Sequence, residues 1–141
     1  MRILAIDLGA RRVGLAVSDP EERFALPLSV LDRRDDRTLW AELRAVAEAE
    51  GVEMVVVGEP LRLDGSAGDA ARRSREFADR VPAMLGLPVA LVDEALTSNE
   101  AERRLGSNPA RRPTPQVRRR LDAVAAQVLL EDYLALKGRA S

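Results

Sequence analysis

Three short apolar runs open the chain, at residues 2–8, 13–18 and 24–31, separated by "GARR" and "DPEER". Glycine, proline and charge between β-rich runs are turn chemistry, so this first third predicts an antiparallel three-strand meander. The period then changes. In "DDRTLWAELRAVAEAEG" Leu39, Leu43, Val46 and Ala47 recur at helical spacing, and Gly51 stands where a helix stops. "VEMVVVGEP" is an almost unbroken apolar run, which predicts a strand buried on both faces. "AGDAARRSREFADRVPAMLG" repeats apolar pairs at 70/71, 77/78 and 84/85 with Val81 between, a second helix ending at Gly86. "LPVALVDEALTS" reads as another buried strand, and "SNEAERRLG" as a short helix with Ser98 at its N-cap. Three prolines in "SNPARRPTPQ" predict a loop. The last helix, "RRRLDAVAAQVLLEDYLALK", is expected to bury Leu121, Val124, Ala125, Val128, Leu129 and Leu136.

The expected fold is α/β: one domain over 1–141, a mixed five-stranded sheet of three antiparallel strands followed by parallel ones, flanked by helices. In that order the first strand lies centrally. Trp40, Phe24 and Phe77 are expected in the core, and Tyr133 at its edge.

Composition narrows the chemistry. The chain has no cysteine and no histidine, which removes disulfides, thiol nucleophiles, the usual neutral-pH base and the usual zinc ligands. No apolar run approaches a bilayer span, and "MRILAID" enters a strand pattern with no secretory leader, so a cytoplasmic location without membrane partners is the default. With so few aromatics no stacking platform for bases is indicated, and catalysis has to come from carboxylates.

Asp7, in the otherwise apolar "LAIDLGARRVGLAVSD", is either a solvated strand-end acid or one with a positive partner. Asp93 and Glu94 end the fifth strand, and Asp122 opens the last helix among alanines small enough to let it lie close to the sheet. Acids gathered at the carboxyl ends of neighbouring strands would repel unless a divalent cation sat among them, and oxygen-only ligands suit magnesium or manganese. The plainer readings are a solvated strand terminus for Asp93 and Glu94 and a helix-dipole contact for Asp122. Net charge is only -1, yet seven arginines and no acid lie between Arg103 and Arg120. That cluster is either a phosphate-binding surface or the mark of an arginine-rich composition. "GEPLRLDGSAG" either cradles phosphate with backbone amides or is a turn requiring its glycines.

"AIDLGARRVGLAVSD", "VVVGEPLRLDGSAG", "VDEALTSNEA" and "LDAVAAQVLLEDYL" resemble, in order, the four blocks of the YqgF family, over residues 3 to about 136. Members of that family are similar to RuvC-type Holliday-junction resolvases. The resemblance implies a ribonuclease H-like fold and a nuclease acting on the 5' end of precursor 16S ribosomal RNA. It implies that Asp7, Glu94 and Asp122 are catalytic metal ligands for two magnesium or manganese ions, with Asp93 a neighbouring acid. Gly9, Arg12 and Gly14 match the first motif, and Asp64, Gly65 and Ser66 the second. Substrate contacts are then expected from Arg12, Ser66, Arg111, Arg112, Arg118 and Arg119. Two positions depart from the family pattern: Glu59 stands where Leu is usual, adding an acid near the site, and Ala95 where Arg is usual.

Other readings are a Holliday-junction resolvase in DNA recombination and repair, and a non-catalytic RNA- or nucleotide-binding module. The first block also resembles the phosphate hairpin of actin-like and sugar-kinase ATPases, but those close a second domain over the nucleotide. A two-fold homodimer would suit a symmetric junction, although no helix singles out a dimer face.

Overall fold

A computed structural model describes residues 1–60, 68–93 and 114–140. The elements are β1 (Arg2–Leu8), β2 (Arg12–Ser18), β3 (Ala25–Asp32), α1 (Asp36–Glu50), β4 (Val52–Glu59), α2 (Asp69–Leu85), β5 (Val89–Asp93) and α3 (Pro115–Ala140). They build a five-stranded sheet in the order β3-β2-β1-β4-β5, with β1 at the centre. β1 and β3 flank β2 antiparallel, while β1, β4 and β5 run parallel. Parallel neighbours need a crossover, and α1 and α2 supply it.

Alternation along each strand sends side chains to two different layers. Leu4, Ile6, Leu15, Val55 and Val57 meet α1 and α2 through Leu39, Trp40, Leu43, Phe77 and Val81. Ile3, Ala5, Ala16 and Val56 meet α3 through Ala126, Leu129 and Leu130. Removing such side chains from water contributes about 1.5–3 kcal/mol for each large aliphatic one. Trp40 and Phe77 stack with ring centroids 4.5 Å apart, and the Arg80 guanidinium lies 5.4 Å from the Trp40 ring.

Local signals fix the helix ends. Asp35 caps α1 by accepting from the Thr38 N–H at 2.8 Å, and Gly51 closes it in the left-handed region at φ 65°. Gly86 closes α2 in the same way at φ 69°.

The structure corrects several expectations. β5 is not a buried strand: it is the sheet edge, so only Val92 is buried and Leu91 is exposed. Pro115 begins α3 rather than belonging to a loop, because at a helix's first position its missing N–H costs nothing. On α3 the buried positions are Ala125, Ala126, Val128, Leu129 and Leu130, with Leu121 and Val124 half-buried. Leu136 is 54% exposed, since the helix runs on past the sheet. Trp40 takes the buried place on α1 that Val46 only half fills. Phe24, expected in the core, is 64% exposed just before edge strand β3. The short helix expected at 98–106 lies outside the described residues. Among the described residues no helix is long and apolar enough to cross a membrane.

Candidate active site

The β1–β2 hairpin begins the site. Gly9 donates its N–H to the Arg12 carbonyl at 2.9 Å, and a Cβ on Gly9 would stand 2.6 Å from that oxygen. Only glycine allows so tight a turn there. From it β2 returns along β1 with Asp7 directly opposite Gly14. Residues directly opposite in an antiparallel pair project to the same face, so Asp7 and Gly14 share one.

That face is the one α3 covers. A Cβ on Gly14 would lie 2.0 Å from the Asp122 carbonyl oxygen, so the α3 backbone rests on β2 at this residue. The missing side chain at Gly14 is what lets the helix descend far enough to carry Asp122 over the Asp7–Gly14 pair. Both acids are half-buried.

Arg12, two residues before Gly14 on the same face, donates from Nε to Asp122 Oδ2 at 2.5 Å. The two side chains keep 27% and 28% of their exposure, so the pair positions more than it stabilises, contributing about 0.2–1 kcal/mol. Only Nε is engaged in this bond, and a guanidinium carries four further N–H donors on its Nη groups. Arg33 braces the hairpin from behind, with Nη1 donating to the Gly9 carbonyl at 2.9 Å and its N–H to the Arg11 carbonyl at 2.8 Å. Arg33 was not singled out from the sequence, where it lies between β3 and α1 with no motif to mark it.

Asp93 and Glu59 end β5 and β4 side by side. Val92 belongs to the α3 layer, so alternation turns Asp93 to the α1–α2 side, away from Asp7. Glu59 faces that side too. It is nearly buried and takes both arms of Arg75 on α2: a short bond from Nε to Oε2 and one of 3.3 Å from Nη2 to Oε1. Strand alternation thus puts Glu59 and Asp7 on opposite faces, and Arg75 pairs with Glu59; the expected nearness of Glu59 to Glu94 falls outside the described residues. The same bond holds the Arg75 guanidinium above its ordinary pKa.

Glu94, Ser66, Arg111 and Arg112, with Asp64, Gly65 and Ala95, lie outside the described residues. Arg118 and Arg119 fall in the first turns of α3, their side chains likewise outside the description. Among the described residues no group of three acids collects, so Asp7 and Asp122 are the two members of the expected trio that the structure brings together. Hard oxygen donors on one half-exposed face, in a chain without histidine or cysteine, are a donor set that fits magnesium or manganese.

Comparisons with known proteins agree with this architecture. The profile of RuvX, described as Holliday junction resolvase, matches residues 1–136. A protein of Chloroflexus aurantiacus named "Putative pre-16S rRNA nuclease" is 39% identical over 135 residues, covering 94% of this chain and 85% of the relative. One of the same name from Anaeromyxobacter dehalogenans is 44% identical over 136 residues, covering 95% and 96%. Among solved structures, Thermus thermophilus RuvC in complex with Holliday junction substrate superposes with a TM-score of 0.57 at 20% identity, over 98% of this chain and 96% of RuvC. That likeness establishes the ribonuclease H-like fold. Matched from its first strand through most of α3, the chain belongs to the RuvX family of nucleases.

Proposed function

We propose that the chain is a divalent-metal-dependent nuclease that hydrolyses phosphodiester bonds at the 5' end of precursor 16S ribosomal RNA in the cytoplasm. The observation that carries this reading is the contact of α3 with Gly14, which sets Asp122 over the residue opposite Asp7. The names of the relatives support the substrate. Glu94, next in sequence to the end of β5, is the third acid of the proposal.

Magnesium or manganese held by Asp7, Asp122 and Glu94 as one ion or two would supply the counter-charge these acids need, polarising a phosphate and its attacking water. The chain's own residues do the rest. Asp7 is held by the central strand, which cannot move without breaking the sheet on both sides. Asp122 is held by its helix and by Arg12 Nε, leaving the Nη donors of Arg12 to grip a phosphate oxygen of the substrate. Water attacks phosphorus as the phosphorus–oxygen bond of the leaving strand breaks. With no histidine in the chain, a carboxylate or solvent takes the water's proton. Ser66, Arg111, Arg112, Arg118 and Arg119 are proposed as further backbone contacts.

The test is cleavage of a labelled precursor ribosomal RNA fragment and of a four-way DNA junction, with magnesium, manganese or chelator. Asp7→Asn and Asp122→Asn should each lower metal-dependent cleavage by about 100-fold or more. Cleavage that survives chelation, or survives in both variants, would overturn the reading. The description of the RuvX profile favours a second substrate, the Holliday junction, and preferential cutting of the DNA junction would select it. A symmetric junction would then call for two copies of the chain.

A further inference from the structure

Behind the hairpin, on the side away from Asp122, an open cavity of about 350 Å³ is lined by Ala10, Arg33, Arg34, Asp35, Asp36 and Arg73. Its size lies within the range of ligand-binding clefts. It is assembled from three separate places in the sequence: the β1–β2 turn, the segment from β3 into α1, and the first turns of α2.

The acids on its wall are already engaged. Asp35 accepts from the Thr38 N–H at 2.8 Å and from Thr38 Oγ1 at 3.0 Å as the cap of α1, and Asp36 pairs with Arg80 at 3.3 Å. The arginines keep donors to spare. Arg33 spends one donor on the Gly9 carbonyl, and neither Arg34 nor Arg73 has an ion pair among the described residues. Three guanidinium groups against two carboxylates leave the wall a net positive charge, and their planar donor geometry matches oxygens of phosphate.

We infer that this cavity seats a backbone phosphate of the nucleic acid whose scissile bond lies at Asp7 and Asp122, an inference that rests on the nuclease reading above. Ala10 follows Asp7 by three residues, so the cavity wall begins no more than about 10 Å from the acid along the chain. That bound keeps the cavity's near wall within a few nucleotides of the cut. The hairpin tip thus divides the substrate path, with the acids on the α3 side and the phosphate seat on the α1–α2 side. Backbone phosphates carry no sequence, so the seat fixes register on the strand rather than choosing bases.

The experiment measures binding of fluorescent single-stranded RNA and of a four-way DNA junction across a salt series in magnesium. The full chain carries Asp7→Asn throughout to suppress turnover. Arg34→Ala/Arg73→Ala is compared with Arg23→Ala/Arg44→Ala, which removes equal charge elsewhere. Each lost phosphate contact flattens the plot of log affinity against log salt by about 0.7–0.9, so the cavity variant, which loses one, should lose that much slope and the control almost none. Equal slopes in the two variants overturn the phosphate seat, and if wild type still cleaves, the nuclease reading stands without it. A cavity-dependent slope in a protein that never cleaves supports the seat as a binding site and removes the nuclease reading. A chain that binds neither probe overturns both.

Discussion

On the α1–α2 face the central strands present Leu4, Ile6, Leu15 and Val57, whereas on the α3 face the same strands present Ala5, Asp7, Gly14 and Ala16. The first face is filled by large aliphatic side chains and a stacked Trp40–Phe77 pair. The second is filled by Leu129 and Leu130 along most of its length, but beside Asp7 it is filled by backbone: α3 comes down until its Asp122 carbonyl occupies the space a Gly14 Cβ would need. Volume is the currency of stability in a packed core, and the α3 face gives volume up. What it gains is placement, because a helix resting on the strands can hold a carboxylate beside one that a strand carries.

If the two faces divide the work in this way, damage to each should read out differently. Leu43 is fully buried on the α1–α2 face, and Leu43→Ala should cost about 2–5 kcal/mol, lowering the Tm by roughly ten degrees. Metal-dependent cleavage per folded molecule, measured well below that Tm, should be unchanged. A fall in cleavage matching that of an acid variant would show that the faces are not separate. Gly14→Ala should cost less stability, about 1–3 kcal/mol, because one methyl group forces the helix off the strand. Its cleavage should nevertheless fall more than tenfold, as Asp122 moves with the helix. Full activity in a folded Gly14→Ala protein would remove the close approach from the mechanism.

The two faces were also unequally legible in the sequence. The α1–α2 face announces itself through periodicity: Leu39 and Leu43 on α1, Phe77 and Val81 on α2, and the unbroken run of β4 all carry the pattern their burial requires. Sheet order followed from the sequence of elements, since parallel strands joined by helices fall beside a central first strand. Asp7 and Asp122 were legible as acids out of place in apolar surroundings. Their proximity was legible in part: the alanines beside Asp122 pointed to a helix lying close to the sheet, but not to Gly14 as the place it rests, because that residue's role is the absence of a side chain. Arg12 reads in sequence as a substrate contact, but its bond to Asp122 spans 110 positions, a distance no local pattern reports. Glu59 shows a different limit of sequence reading. Linear nearness to the strand's carboxyl end says nothing of which face a residue takes, and one step of alternation sends it to Arg75. Leu136 and Phe24 misled because periodicity continues past the point where the sheet stops providing cover.

The smallest expected effect concerns how α3 is held at its far end. Near its start the helix is tied to β2 by Asp122 and Arg12; fifteen residues and about 22 Å later Lys137 Nζ reaches Glu22 Oε1 at 2.5 Å. Glu22 also meets the N-terminal ammonium at 3.4 Å. The bond to Lys137 holds the Glu22 carboxyl below its ordinary pKa, and the same bond holds Lys137 above its own. A depressed carboxyl contributes stability above its unfolded pKa of about 4.3 and loses it as pH falls through the lower folded value. A raised ammonium contributes below its unfolded pKa of about 10.4 and loses it as pH rises through the higher folded value. Glu22→Gln should therefore lower stability by about 0.2–1 kcal/mol between roughly pH 5 and pH 10, with the difference from wild type vanishing at both extremes. Thermal melts across that range check it. Glu22 also holds φ at 59°, a region that favours glycine, so Glu22→Gly relieves backbone strain while it removes the pair. A Glu22→Gln deficit independent of pH would assign the residue's contribution to something other than its charge. If Glu22→Gly then proved as stable as wild type, relief of that strain would offset the loss of the pair, and the packing of α3 through Ala126, Leu129 and Leu130 would hold its far end without the ionic tie.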